Sequence, residues 1–210
     1  CYSAELFIMS DLDYLIRSYT KKRTIIFDLD NTLYLERNYL FIVYEEISKR
    51  YYPEVSENVF NFLCNNFSKY GRGNLYQKLI NEFGRKLSLD QFLECLRSTN
   101  IHNKIDVLPW FRKFCSHTDN QICGNIITNG NVEQQINKIE SICWPENFKL
   151  VNVIYANKYE PKPSVASFRI LANKIELFRP IYVGDSAIDK KFAQNTNVDF
   201  FNVTTIEGKI

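Results

Sequence analysis

No cysteine pair with C-x-x-C spacing occurs in these 210 residues, although six cysteines are present. Cys1, Cys64, Cys95, Cys115, Cys123 and Cys143 lack the rhythm of a zinc site, and Cys115-Ser116-His117 has no second pair to complete one. Most stand beside Phe, Leu or Ile, which predicts small buried hydrophobes in a reducing compartment. Histidine is equally scarce: His102 and His117 both fall in polar stretches expected to be loops, with no chemical role. Long hydrophobic runs are missing. Leu6-Phe7-Ile8-Met9 is too short for a signal peptide and no stretch reaches the length of a membrane span, so a cytosolic protein with no membrane partner is expected. An excess of one charge is missing too, because 26 basic residues face 24 acidic ones. That balance gives no footing for nucleic acid, and the largest like-charge block, Lys21-Lys22-Arg23, reads as a solvated helix end. Internal repeats and low-complexity tracts are absent. The chain opens on Cys1 rather than Met, which leads us to expect a segment of a longer polypeptide with room for a fused domain.

What is present is an ordinary globular composition, 45% hydrophobic and 24% charged, long enough for one domain carrying a sizeable insertion. From Arg37 to about Ser98 the pattern is helical. Leu40, Val43, Tyr44, Ile47 and Tyr51 share one face, and Val59, Phe60, Leu63, Phe67 and Tyr70 another. Leu75, Leu79, Ile80 and Phe83 make a third stripe that Gly84 ends. Ser88 with Gln91 forms a capping box for a fourth helix carrying Leu89, Phe92, Leu93 and Leu96. The flanking parts alternate instead. Short apolar strands are expected at 24–27, 125–128, 151–155, 181–183 and 200–203, with helices at 109–115, 132–142, 164–177 and 189–194. Continuous apolar strands separated by helices indicate a parallel sheet covered on both faces, with ligands beyond the carboxyl ends of the strands. The expected fold is therefore α/β, a Rossmann-like core of residues 1–36 and 104–210 with an all-helical cap inserted over 37–103. Residues 1–20 would add an N-terminal helix with Leu6, Met9, Leu12, Ile16 and Tyr19 on one face.

Those strand ends carry acids, a hydroxyl and a lysine. Thr24-Ile25-Ile26-Phe27 runs into Asp28-Leu29-Asp30-Asn31-Thr32, and carboxylates two residues apart at a strand end repel unless a cation or phosphate chemistry uses them. Ile127-Thr128-Asn129-Gly130 brings a hydroxyl and free N–H groups to a helix start, a setting suited to phosphate oxygens. Glu160-Pro161-Lys162-Pro163 fixes a lysine between two prolines. Val183-Gly184-Asp185-Ser186-Ala187-Ile188-Asp189 adds two more acids. Asp11 and Asp13 also follow an apolar run, but Leu15 stands where a hydroxyl would belong and no partner motifs follow, so that segment reads as helix.

Taken in order, Asp28-x-Asp30-x-Thr32, Thr128, Lys162 and Gly184-Asp185-x-x-x-Asp189 resemble the four motifs of the haloacid dehalogenase-like hydrolases, over roughly residues 22 to 205. The resemblance implies a Mg2+-dependent phosphomonoester hydrolase. Asp28 would be the nucleophile, forming an aspartyl-phosphate, and Asp30 the acid and then base. Thr128, the Asn129 N–H and Lys162 would hold the phosphoryl group. Magnesium would take the Asp28 carboxylate, the Asp30 carbonyl and Asp185. Asp189 would support the metal shell or orient Lys162, with a structural salt bridge as the rival role. Because a halide leaving group needs no proton, Asp30 favours phosphate esters over the family's dehalogenases. The opening Asp28-Leu-Asp-Asn-Thr-Leu-Tyr34 and the turn Lys69 to Leu75 resemble the pyrimidine-nucleotidase-like branch, although sugar-phosphate phosphatases share the opening. The substrate expected is a small phosphorylated metabolite, a sugar phosphate or a nucleotide. Arg72 and Asn74 are the cap residues nominated to contact it, against a plain helix–helix turn. A phosphotransferase or mutase would keep the same residues, and a non-catalytic domain of a larger protein is the third reading. The family's usual glycine after the last motif helix is replaced by Asn195-Thr196-Asn197, where asparagine can still supply a positive φ.

Overall fold

A computed structural model describes residues 11–117 and 121–206. Its centre is a five-stranded sheet, built from β1 (Ile25–Phe27), β2 (Ile122–Thr128), β3 (Phe148–Tyr155), β4 (Ile181–Gly184) and β5 (Asp199–Asn202). The spatial order is β3-β2-β1-β4-β5 and every pairing is parallel. Successive strands thus add outward from β1 in two directions, and the order reverses between β1 and β4. That reversal opens a crevice at the carboxyl ends of these two strands, the place where open α/β sheets hold ligands. Strand β1 is buried throughout, as its uninterrupted Ile25-Ile26-Phe27 run requires.

Two compact units make up the chain. The first comprises residues 1–35, 106–130 and 144–210 and holds the sheet. On one face Phe27 meets Phe111 and Phe148 edge-on at centroid distances of 5.6 and 6.4 Å, with Trp144 stacked on Phe148. Phe27 belongs to β1, Phe111 to α6 (Pro109–Ser116) and Phe148 to β3, while Trp144 lies just before β3. Gly124 belongs to this packing, because a Cβ there would stand 2.1 Å from the Phe148 ring. On the other face Ile26, Ile127, Ile154 and Tyr182 pack with Leu171 of α8 (Ala166–Ala172) and Phe192 of α9 (Ala187–Thr196).

The second unit comprises 36–105 and 131–143. It contains α2 (Glu36–Tyr51), α3 (Ser56–Tyr70), α4 (Leu75–Phe83), α5 (Leu89–Ser98) and α7 (Val132–Ser141). Leu40, Val43, Tyr44, Ile47, Val59, Leu63, Leu75, Leu79 and Phe92 are buried, as the helical stripes predict. Leu89 is not: it is 48% exposed, because the first helical position after the cap points away from the buried face. Tyr70, at the last position of its helix, is likewise exposed. The Ser88–Gln91 capping box forms, and Gly84 ends α4 with φ 75°.

Most boundaries differ from expectation by a residue or a few at strand starts. The larger difference is α8, expected over 164–177 and ending at Ala172, after which Asn173 and Lys174 turn back onto Arg169 and Leu171 carbonyls. Asp11–Thr20 is helical (α1), as read, while residues 1–10 of the expected N-terminal helix, with Cys1, lie outside the described residues. In the basic block, Arg23 is ion-paired with Asp199 rather than simply solvated. Asn197 takes φ 55° and so performs the turn in place of glycine. Among the described residues no helix is long and apolar enough to cross a membrane.

Candidate active site

Strand β1 delivers Asp28 to the crevice, with its backbone N–H bonded to the Val183 carbonyl of β4 at 2.8 Å. The carboxyl is buried, and its Oδ1 accepts from Lys162 Nζ at 2.6 Å. Lys162 arrives on the segment after β3 and is itself buried. Its backbone is clasped by the Asn129 side chain, whose Oδ1 accepts from Lys162 N at 2.7 Å while its Nδ2 donates to Lys162 O at 3.1 Å. The motif residue after Thr128 thus ties β2 to the lysine segment.

The Lys162 ammonium makes two further bonds, to Asp189 Oδ1 at 2.7 Å and to the Tyr182 hydroxyl at 2.8 Å. Asp189 sits in the first turn of α9, and its other oxygen accepts from the backbone N–H of Ser186 at 3.1 Å, with Ser186 Oγ also bonded to it, so it completes a capping box. Gly184 makes this possible. A Cβ at Gly184 would stand 2.6 Å from the Asp189 Cβ, inside any real contact. The Gly-Asp pair therefore begins with glycine because the second acid folds back over it.

Asp185 follows immediately, half-buried. Thr32 Oγ1 lies 3.4 Å from Asp28 Oδ2 and 3.3 Å from Asp185 Oδ1, one hydroxyl hydrogen between two carboxylate oxygens. Asp28, Asp185 and Asp189 each offer an oxygen within 4.8 Å of the others. Asp30, two residues beyond Asp28, is bonded by the hydroxyl of buried Tyr34 at 2.5 Å. Thr128, at the end of β2, is buried, with its hydroxyl 3.3 Å from the Asn129 carbonyl.

This crowding sets the electrostatics. The Asp28 carboxyl is raised to about 7, chiefly by burial, with Lys162 opposing the rise and Asp189 and Asp30 adding to it. Burial alone would lower the Lys162 ammonium, yet Asp28, Tyr182 and Asp189 hold it well above the ordinary lysine value. Burial and the neighbouring acids keep the Tyr182 hydroxyl protonated, against the pull of Lys162. Two carboxyl groups, Asp28 and Asp189, share the Lys162 ammonium, and Asp185 brings a third carboxylate oxygen within 4.8 Å of theirs.

The structure thus brings Asp28, Thr32, Lys162, Asp185 and Asp189 into one constellation, with Asp30, Thr128 and Asn129 on the adjoining strand ends. Arg72 and Asn74 belong to the helical unit. There Arg72 is ion-paired with Glu36 and lies 3.4 Å from the Gln134 side chain, and Asn74 adopts φ 56° just before α4. Sequence reasoning missed Tyr182, which looks like any aromatic core residue of a buried strand; only its hydroxyl could have flagged it.

The family model for haloacid dehalogenase-like hydrolases matches residues 25–203. The chain belongs to this family. A search of curated proteins finds no match. Solved structures similar to this hydrolase include YfnB of Bacillus subtilis, described as a HAD-hydrolase and solved bound to magnesium, at 18% identity and TM-score 0.54, covering 85% of this chain and 86% of that one. An L-2-haloacid dehalogenase is 14% identical with TM-score 0.53 over 89% and 88% of the two chains. A family IA HAD hydrolase of Entamoeba histolytica is 15% identical with TM-score 0.51 over 89% and 90%. At these identities the likeness is one of fold: the parallel five-stranded sheet and the helical insertion after its first strand.

Proposed function

We propose that this hydrolase cleaves phosphate monoesters of small metabolites through an aspartyl-phosphate on Asp28. The observation that carries the reading is Asp30, an acid two residues from the buried Asp28 and oriented by Tyr34. A halide needs no proton to leave; an alkoxide does. Asp28 attacks phosphorus, the bond from phosphorus to the ester oxygen breaks, and Asp30 gives its proton to that oxygen. Water then attacks the acyl phosphate, passes a proton to Asp30 and releases inorganic phosphate. Lys162, the Thr128 hydroxyl and the Asn129 N–H stabilise the charge on the phosphoryl oxygens. Asp189 keeps Lys162 directed at Asp28.

A divalent cation fits this donor set. The oxygens of Asp28 and Asp185 that share the Thr32 hydroxyl are hard ligands, and with Asp189 they offer oxygens within 4.8 Å of one another. We assign Mg2+ to Asp28, Asp185 and the Asp30 carbonyl, with Asp189 already engaged by Lys162 and Ser186. When bound, it would neutralise charge on the phosphoryl group. The helices expected as a cap over 37–103 would choose the leaving group, with Arg72 and Asn74 as the first residues to vary. The Arg72–Glu36 pair supports the rival role, in which Arg72 holds its own unit together.

The test is phosphate release, with magnesium, from sugar phosphates, nucleoside monophosphates and small phosphorylated acids, for wild type beside Asp28→Asn. Release from one class that vanishes in the variant is expected. Release that survives in Asp28→Asn contradicts the covalent route, and transfer to a sugar acceptor in place of water would move the reading to a phosphotransferase.

A further inference from the structure

Tyr182 is a fully buried phenol inside β4, its ring edge-on to Phe192 at 4.8 Å. A hydroxyl in that position must find both a donor and an acceptor. It finds them on two other segments of the site: it accepts from Lys162 Nζ at 2.8 Å and donates to the Ile127 carbonyl at 3.0 Å. Ile127 immediately precedes Thr128. One phenol therefore spans the lysine and the strand that carries the phosphate-binding hydroxyl.

An ammonium has three N–H bonds, and Lys162 has three acceptors: Asp28 at 2.6 Å, Asp189 at 2.7 Å and Tyr182 at 2.8 Å. They are not equivalent. Tyr182 and Asp189 are fixed, the first by its bond to β2 and the second by the Ser186 cap. Asp28 alone changes chemically, if the function proposed above holds. When its oxygen becomes part of an acyl phosphate it loses charge, and its hold on the ammonium weakens. We propose that Tyr182 is a positioning residue for Lys162. With Asp189 it anchors two N–H bonds, so that the third swings from Asp28 to a phosphoryl oxygen without the ammonium moving. Removing the phenol oxygen leaves the lysine with one fixed anchor and a contact that is poorly aimed when charge develops. Binding of the substrate before reaction should hardly change.

The test compares wild type, Asp28→Asn, Lys162→Arg and Tyr182→Phe, the last keeping the ring and its packing. With p-nitrophenyl phosphate and magnesium, Tyr182→Phe should lose about tenfold in kcat with KM within about twofold, the size of one hydrogen bond to a charged group. A purely structural phenol would instead lower the melting temperature and leave kcat unchanged, which overturns the proposal. Independently of turnover, protein labelled with 15N-lysine should give a protected ammonium signal that is absent in Lys162→Arg and exchanges faster in Tyr182→Phe. Equal exchange in Tyr182→Phe and wild type also overturns it. If wild type shows no Asp28-dependent release, the proposed function fails, and the ammonium signal still decides whether Tyr182 anchors the lysine.

Discussion

Burial lifts the Asp28 carboxyl to about 7, helped by Asp189 and Asp30 and opposed by the Lys162 ammonium. The folded chain therefore retains a proton there that the unfolded chain gives up near the ordinary aspartate value of 3.8. Stability from this group is fully present below that value and is lost as pH rises through about 7. Asparagine cannot ionise. In metal-free buffer the melting temperature of Asp28→Asn should thus gain on wild type between pH 5 and pH 8, and a constant difference would contradict the electrostatic account. Gly184 offers a sharper steric test. Gly184→Ala puts a methyl 2.6 Å from Asp189, which must move off Lys162. Misplacing the ammonium should lower kcat about 100-fold, and the overpacking should cost about 1–3 kcal/mol of stability. Full activity in this variant would mean that Asp189 does not direct the lysine. The glycine was legible as part of a motif, but its reason was not, because a clash between residues five apart exists only once α9 folds back over the strand end.

The elements were legible wherever one residue type can do the job. Ser88 and Gln91 could be read as a capping box because each side chain bonds the other's backbone locally, and both bonds form. Ser88→Ala should destabilise α5 by about 1 kcal/mol, seen as a lower denaturation midpoint with an unchanged slope; no shift would mean that packing alone holds the helix. Asn197 was legible for the same reason, since positive φ is a local demand. The end of α8 was not. The apolar spacing of Ile175 and Leu177 continues past Ala172, and both residues do pack on the core, but from a turn rather than a helix. Periodicity records which residues are buried, and a turn can bury them as well as a helix can.

For the whole molecule, the strand order 3-2-1-4-5 explains why the site lies where it does. Four segments distant in sequence converge because every strand of the sheet is parallel, which puts all the carboxyl ends on one side. Order and identity of the motifs were readable from the chain. The clasp of Asn129 on the Lys162 backbone and the two bonds of Tyr182 were not, because each joins segments tens of residues apart through side chains that look structural. A cation held by the crevice carboxylates, as proposed, would link metal binding to the stability of the molecule. Magnesium at about 100 times its Kd should stabilise wild type by about 2.7 kcal/mol, and Asp185→Ala should lose most of that gain. Equal stabilisation of both would move the cation elsewhere.

If Asp28 carries the phosphoryl group during turnover, as proposed, the acyl phosphate can be trapped on it. Wild type turning over p-nitrophenyl phosphate with magnesium should be quenched with acid and reduced with borohydride, which converts an aspartyl-phosphate to homoserine. Mass spectrometry of the peptide spanning Asp28 should then find homoserine at that position, and nothing in Asp28→Asn. Steady release of phosphate with an unmodified Asp28, or with the reduced residue at another acid, would rule out Asp28 as the nucleophile.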